Sequence, residues 1–168
     1  IPALDKFLQH QVQVVIVGSG DPSLAAQLQT IAQQHPDRFA FINAYDDRLA
    51  HLVEAGADFF LMPSLFEPCG LNQMYSLAYG TLPLVRAVGG LKDTVVDWDA
   101  DPTHATGFCF NDPTASTLLD AMRRSLLHYL QEPARFARVQ HHAMNTRFDW
   151  ADSVILYEQM YQDALATV

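Results

Sequence analysis

A chain of 168 residues, 49% of them hydrophobic, is long enough for one domain with a full core and too apolar for a disordered segment. Its 10 basic against 19 acidic residues give a formal charge of −9, which argues against nucleic acid or an anionic membrane surface as the main partner. No apolar run approaches the roughly 20 residues that cross a bilayer, the start IPALDKFLQHQ lacks a signal-peptide pattern, and two cysteines, Cys69 and Cys109, are too few for a disulfide framework and suit a reducing cytoplasm.

Along the chain, short apolar runs alternate with segments of helical period. The first run, VQVVIVG (12–18), reads as a buried strand. Asp21-Pro22 then has the form of a helix cap and first helical position, with Leu24, Leu28 and Ile31 on one face. FAFIN (39–43) is a second strand, and Leu49, Leu52 and Val53 mark a second helix. DFFLMP (58–63) is a third strand, followed by a helix over Leu71 to Tyr79. LPLVRAV (82–88) and GFCF (107–110) are the last strands. Asp112-Pro113 is expected to open a helix whose apolar face runs Leu118, Met122, Leu126 and Tyr129. Two further helices are expected near 133–146 and 150–166, the last with Trp150, Val154, Tyr157, Tyr161 and Leu165 at helical spacing. No internal repeat, low-complexity tract or linker interrupts this order.

Strand–helix alternation with apolar strands implies an α/β fold, a doubly wound parallel sheet covered on both faces. Ligands in such sheets bind beyond the carboxyl ends of the strands. The stretch PSLFEPCGLNQMYSLAYGTLPLV (63–85) puts Glu67 on that rim, between a strand that ends at Pro63 and a helix that starts near Gly70. Free N–H groups at a helix N-terminus favour an anion there.

Other motifs are weaker. VIVGSGDPS follows a strand and opens a helix, and Gly18 and Gly20 fit a dinucleotide fingerprint. Its third glycine position holds Ser23, and Asn43 stands where an acidic residue should end the second strand, so a tight turn is the simpler reading. No metal site is expected: the seven histidines are scattered, and the adjacent pair His141-His142 points about 100° apart on a helix. A nucleophilic Cys69 needs a base, for which His51 is the candidate; a small, half-buried loop residue is the plainer role. The aromatic stripe of the last helix is a packing face, or covers a surface belonging to chain outside these residues.

The segment PSLFEPCGLNQMYSLAYGTLPLVRAVGGLKDTV (63–95) closely resembles the donor-binding core of bacterial glycogen and plant starch synthases. VVIVGSGDP, AYDDRLAHLVEAGADFFLMPS and TRFDWADSVILYEQMY extend the resemblance over nearly the whole chain. The resemblance implies a retaining glucosyltransferase of the GT-B fold, with two Rossmann-like domains facing a cleft. It implies transfer of glucose from ADP-glucose to the non-reducing end of an α-1,4-glucan, in the cytoplasm and with no cofactor beyond the substrate. Residues 1–168 then correspond to the C-terminal, nucleotide-sugar-binding domain. The family's first C-domain strand, its cationic diphosphate loop and the N-terminal domain with its lysine-glycine-glycine motif are missing, and the first residue, Ile1, agrees with an excised domain.

Carried over by position, Glu67 resembles the donor-site carboxylate beside the glucosyl ring, where negative charge stabilises an oxocarbenium-like state. Cys69, Gly70, Leu71 and Asn72 contribute the donor-binding turn, with the backbone N–H groups of the last three on the diphosphate. Tyr45 resembles the aromatic residue lying against adenine. Arg86 and Lys92 are the only cations nearby in sequence. Tyr75 stands where the wider GT-B clan often has a second glutamate, Asn72 where many members have threonine, and Leu65 where arginine is frequent. Two other readings stay open: a stand-alone nucleotide-sugar or polysaccharide binding module, and a Rossmann-like domain without a ligand. The Glu67–Gly70 loop speaks against the last.

Overall fold

Every apolar run becomes a strand, each shortened at one or both ends. In the computed structural model, which describes residues 1–166 (Asp152 through its backbone only), β1 is Val14–Val17, β2 Phe39–Ile42, β3 Phe59–Met62, β4 Leu82–Arg86 and β5 Phe108–Phe110. The helices between them are α1 (Pro2–Phe7), α2 (Pro22–Gln34), α3 (Asp47–Gly56), α4 (Asn72–Tyr79), α5 (Gly90–Thr94), α6 (Ala115–Gln131), α7 (Pro133–Asn145) and α8 (Trp150–Ala166). All strand pairs are parallel, as buried β-branched and aromatic runs joined by helices require. They form two sheets: β1 pairs with β2, and β3–β4–β5 form the second. Val14 of β1 and Phe59 of β3 nevertheless pack against the same core.

Two helices escape the sequence pattern. α1 has six residues and α5 five, too few to show a period. The expected start of α6 also shifts: Thr114, not Asp112, is the N-cap, its hydroxyl accepting the N–H of Thr117 at 3.2 Å. Asp112 instead lends its backbone carbonyl to the Thr117 hydroxyl.

The main core gathers Phe7, Leu77, Leu82, Leu84, Phe108, Met122, Phe136 and Ala143 around a fully buried Trp98. Full burial of one such side chain is worth about 1.5–3 kcal/mol. Trp98 stacks on Phe108 (centroids 5.2 Å apart, planes 11°), and the Arg135 guanidinium lies 4.4 Å from the centroid of the Trp98 ring. Arg124 grips both carboxylate oxygens of Asp97, at 3.1 and 2.6 Å, and the Cys109 N–H donates to the same group. Burial opposes ionisation of Asp97, but the Arg124 and backbone hydrogen bonds outweigh it and hold its pKa below the usual value. Burial, reinforced by Asp97, pushes the Cys109 thiol up to about 12. These perturbed groups serve the joint between β5, α6 and the 95–107 segment.

Parallel register carries the fold to its functional rim. Met62 pairs with Val85, so β3 and β4 end side by side and release residues 63–71 and 87–89 at the same edge. The stripe of α8 is not a packing face among the described residues: Trp150, Val154, Tyr157, Tyr161 and Leu165 are all exposed. No helix among the described residues is long and apolar enough to cross a membrane.

Candidate active site

Glu67 sits in the loop joining β3 to α4 and is half-buried. The Ser64 hydroxyl donates to its Oε2 at 3.4 Å. The loop rests on the Gly89–Gly90 turn that opens α5, backbone on backbone. The Gly90 N–H donates to the Pro68 carbonyl at 3.3 Å. A Cβ at Gly89 would stand 1.8 Å from the Glu67 carbonyl oxygen, and one at Gly90 2.2 Å from that of Cys69. Gly89 also has φ +48°, a region that favours glycine. Both positions therefore exclude a side chain so that the carboxylate loop can lie against α5.

The N-terminus of α4 lacks a side-chain cap, since Leu71 occupies the cap position. Among the described residues, the N–H groups of Gly70, Leu71 and Asn72 have no hydrogen-bond acceptor. Three orphan donors and the positive end of a helix dipole thus lie a few residues from Glu67. Gly70 has φ +77°, and a Cβ there would stand 2.5 Å from Oε1 of the fully buried Gln73. Such an arrangement suits an anion approaching the backbone.

The other predicted residues distribute as follows. Cys69 is exposed rather than half-buried, because the turn aims its side chain along the surface, where the thiol reaches the Gly70 carbonyl at 3.4 Å. His51 does not approach it. It stands 3.3 Å from the Tyr79 hydroxyl and 5.5 Å between ring centroids from Tyr75, while the Cys69 thiol bonds the Gly70 carbonyl, so no hydrogen bond joins the cysteine and the histidine among the described residues. Tyr45 lies in the turn before α3 and is 92% exposed. Its turn is linked to the site through α3, whose His51 packs on Tyr75 and Tyr79 of α4. Arg86 is committed elsewhere. Its guanidinium donates to the carbonyls of Ser64, Leu65 and Asn111, so it braces the loop. Lys92 stands exposed on α5.

Elsewhere on the rim the Gly18–Gly20 turn is closed. Asp21 Oδ1 accepts the N–H groups of Ser23 and Leu24 at 2.8 and 3.0 Å, filling the place a phosphate would take. No group of three or more histidine, cysteine or acidic side chains among the described residues could hold a metal ion. Sequence reasoning missed Gln73, Gly89 and Gly90. The paired glycines at a strand-to-helix junction were a usable signal; a buried glutamine on a helix offered none.

Parallel strands joined by helices, with a carboxylate loop and an uncapped helix on the carboxyl rim, define a Rossmann-like class of α/β domain. Residues 1–139 match the family model "Glycosyl transferases group 1", and the chain belongs to that family. It is 87% identical over 166 residues to a glycogen synthase of Aeromonas hydrophila and 61% identical over 165 residues to one of Vibrio parahaemolyticus. These matches take in 99% and 98% of this chain but 34% of each relative, so the chain spans about a third of their length. Among solved structures, the catalytic domain of starch synthase IV from Arabidopsis thaliana, bound to ADP and acarbose, superposes with a TM-score of 0.86 at 32% identity, covering 98% of this chain and 35% of that one.

Proposed function

We propose that this chain is the donor-binding domain of a cytoplasmic glycogen or starch synthase that transfers glucose from ADP-glucose to an α-1,4-glucan with retention. The observation that carries the reading is the uncapped N-terminus of α4, with three N–H groups unpaired among the described residues, at the end of the loop that holds Glu67. The likeness to an ADP-bound starch synthase supports the choice of nucleotide.

In this reading Gly70, Leu71 and Asn72 donate to the departing diphosphate, and the exposed ring of Tyr45 covers the adenine. Glu67 stabilises positive charge developing on the glucosyl ring, an interaction stronger in the transition state than in the ground state. No resident cofactor enters these steps, because the donor carries the activated bond. The acceptor glucan binds to an N-terminal domain outside these residues, which completes the cleft. A strand preceding Ile1 completes the sheet, a view supported by the two-sheet split: among the described residues β1 and β3 each lack a second strand partner while sharing one core.

With Arg86 tied to loop carbonyls, the chain alone has little cationic grip on a diphosphate. Its ADP affinity is therefore expected at ~0.1–10 mM, and it should not elongate glucan. A protein carrying both domains should extend maltooligosaccharides from ADP-glucose. Elongation by the 168-residue chain, or none by the two-domain protein, overturns the proposal, as does an absence of ADP binding at high millimolar concentration.

A further inference from the structure

Gln73 occupies the second position of α4 and is completely buried, an unusual place for a carboxamide. Its Nε2 faces three acceptors: the carbonyls of Cys69 at 3.1 Å and Gly70 at 3.0 Å, and Thr94 Oγ1 at 3.1 Å. The Thr94 hydroxyl spends its own proton on the Gly90 carbonyl at 2.6 Å, so it can only accept from Gln73. This settles the amide orientation, since the reverse would set an oxygen against three acceptors. Oε1 is left without a hydrogen-bond partner among the described residues. The carboxamide is thus held there by its donors.

Those donors have a geometric consequence. The peptide bonds here are trans, and in a planar trans peptide the carbonyl of one residue and the N–H of the next point in opposite directions. Drawing the Cys69 carbonyl inward turns the Gly70 N–H outward, and drawing the Gly70 carbonyl inward does the same for Leu71. The left-handed φ of Gly70 permits both carbonyls to face one amide. Oε1 of Gln73, against the Gly70 Cα, closes the space any other side chain would need.

We infer that Gln73 is a positioning residue: its buried amide rotates two successive peptide planes so that the Gly70 and Leu71 N–H groups form an anion-binding pair at the head of α4. The ligand assignment rests on the donor-site reading above. The peptide orientation does not.

Two measurements test it. In the wild-type chain, amide exchange followed by NMR should find the Gln73 carboxamide protons protected and the Gly70 and Leu71 amides exchanging freely; protected Gly70 and Leu71 amides would overturn the inference. In Gln73→Met, which keeps the length and loses the donors, an NMR titration should find ADP affinity reduced about tenfold or more while adenosine affinity stays within about twofold. Thr94→Val removes the third partner and leaves both carbonyls bonded, so its ADP affinity should fall by no more than about twofold. Equal weakening of ADP and adenosine in Gln73→Met, or unchanged ADP affinity in a folded variant, refutes a role in phosphate positioning. If the wild-type chain binds no ADP, the donor-site reading fails and the exchange pattern still decides the orientation. If Gln73→Met does not fold, the wild-type exchange pattern decides it alone.

Discussion

Of the glycine-bearing turns that follow an apolar strand and open a helix, those at Gly18–Asp21 and Glu67–Leu71 finish the helix end in opposite ways. At the Gly18–Asp21 turn the helix closes upon itself: Asp21 takes two N–H groups of the first turn, and Pro22 has none to offer. Gly18 and Gly20 have nothing within 4 Å of a would-be Cβ, so crowding does not demand glycine there. At the Glu67–Leu71 turn the cap is withheld and the donors stay unpaired. The chain behind is crowded, with Gly70, Gly89 and Gly90 all in close contact. Glycine is thus a poor signal by itself. What separates the turns is whether a side chain neutralises the helix end and whether the loop is braced from behind.

The largest effect that can sharpen this contrast is on chemistry. In the two-domain enzyme, Glu67→Gln keeps size and removes charge, and kcat should fall by ~10²–10⁴-fold with little change in donor KM. A rise in KM at constant kcat would instead make Glu67 a ground-state hydrogen-bonding group. An unchanged pair of constants would return it to the role of a solvated loop residue.

The bracing itself gives the next largest effect. Gly90→Ala sets a methyl group against the Cys69 carbonyl, where the nearest atoms are all backbone and no flexible side chain can move aside. Such overpacking should cost roughly 3 kcal/mol in a urea or thermal melt. Gly20→Ala, in open space, should stay within about 0.5 kcal/mol. Equal costs at the two positions would show that the crowding at Gly90 relaxes easily, and the rigid-loop argument would fail.

This contrast also explains what the sequence could and could not reveal. The strands were legible because each is an apolar run bounded by turn residues, and the place of Glu67 on the carboxyl rim because Pro63 and Gly70 bracket a strand-to-helix junction. Short helices such as α1 and α5 left no period to read. The shift of the α6 cap from Asp112 to Thr114 turned on which side chain reached a free N–H first. Gln73 was invisible, since its meaning depends on burial and on carbonyls brought to it by the turn. Cys69 was misplaced as half-buried because a turn's direction is set by its neighbours, here the Gly89–Gly90 platform. The division into two sheets likewise has no local signature, for pairing depends on strands distant in sequence.

The smallest effect tests the closed turn directly. Asp21→Ala removes the acceptor of two N–H groups, a change that should lower stability by about 1 kcal/mol. It also frees those N–H groups and deletes a negative charge beside them. If the diphosphate were received at α2, the variant would lose a competitor for the site, and ADP affinity would rise. If it is received at α4, the variant should melt earlier yet bind ADP within about twofold of wild type. Thermal unfolding and ADP titration on the same preparation read both quantities. Tighter ADP binding in Asp21→Ala would move the donor site to the first turn and undo the comparison.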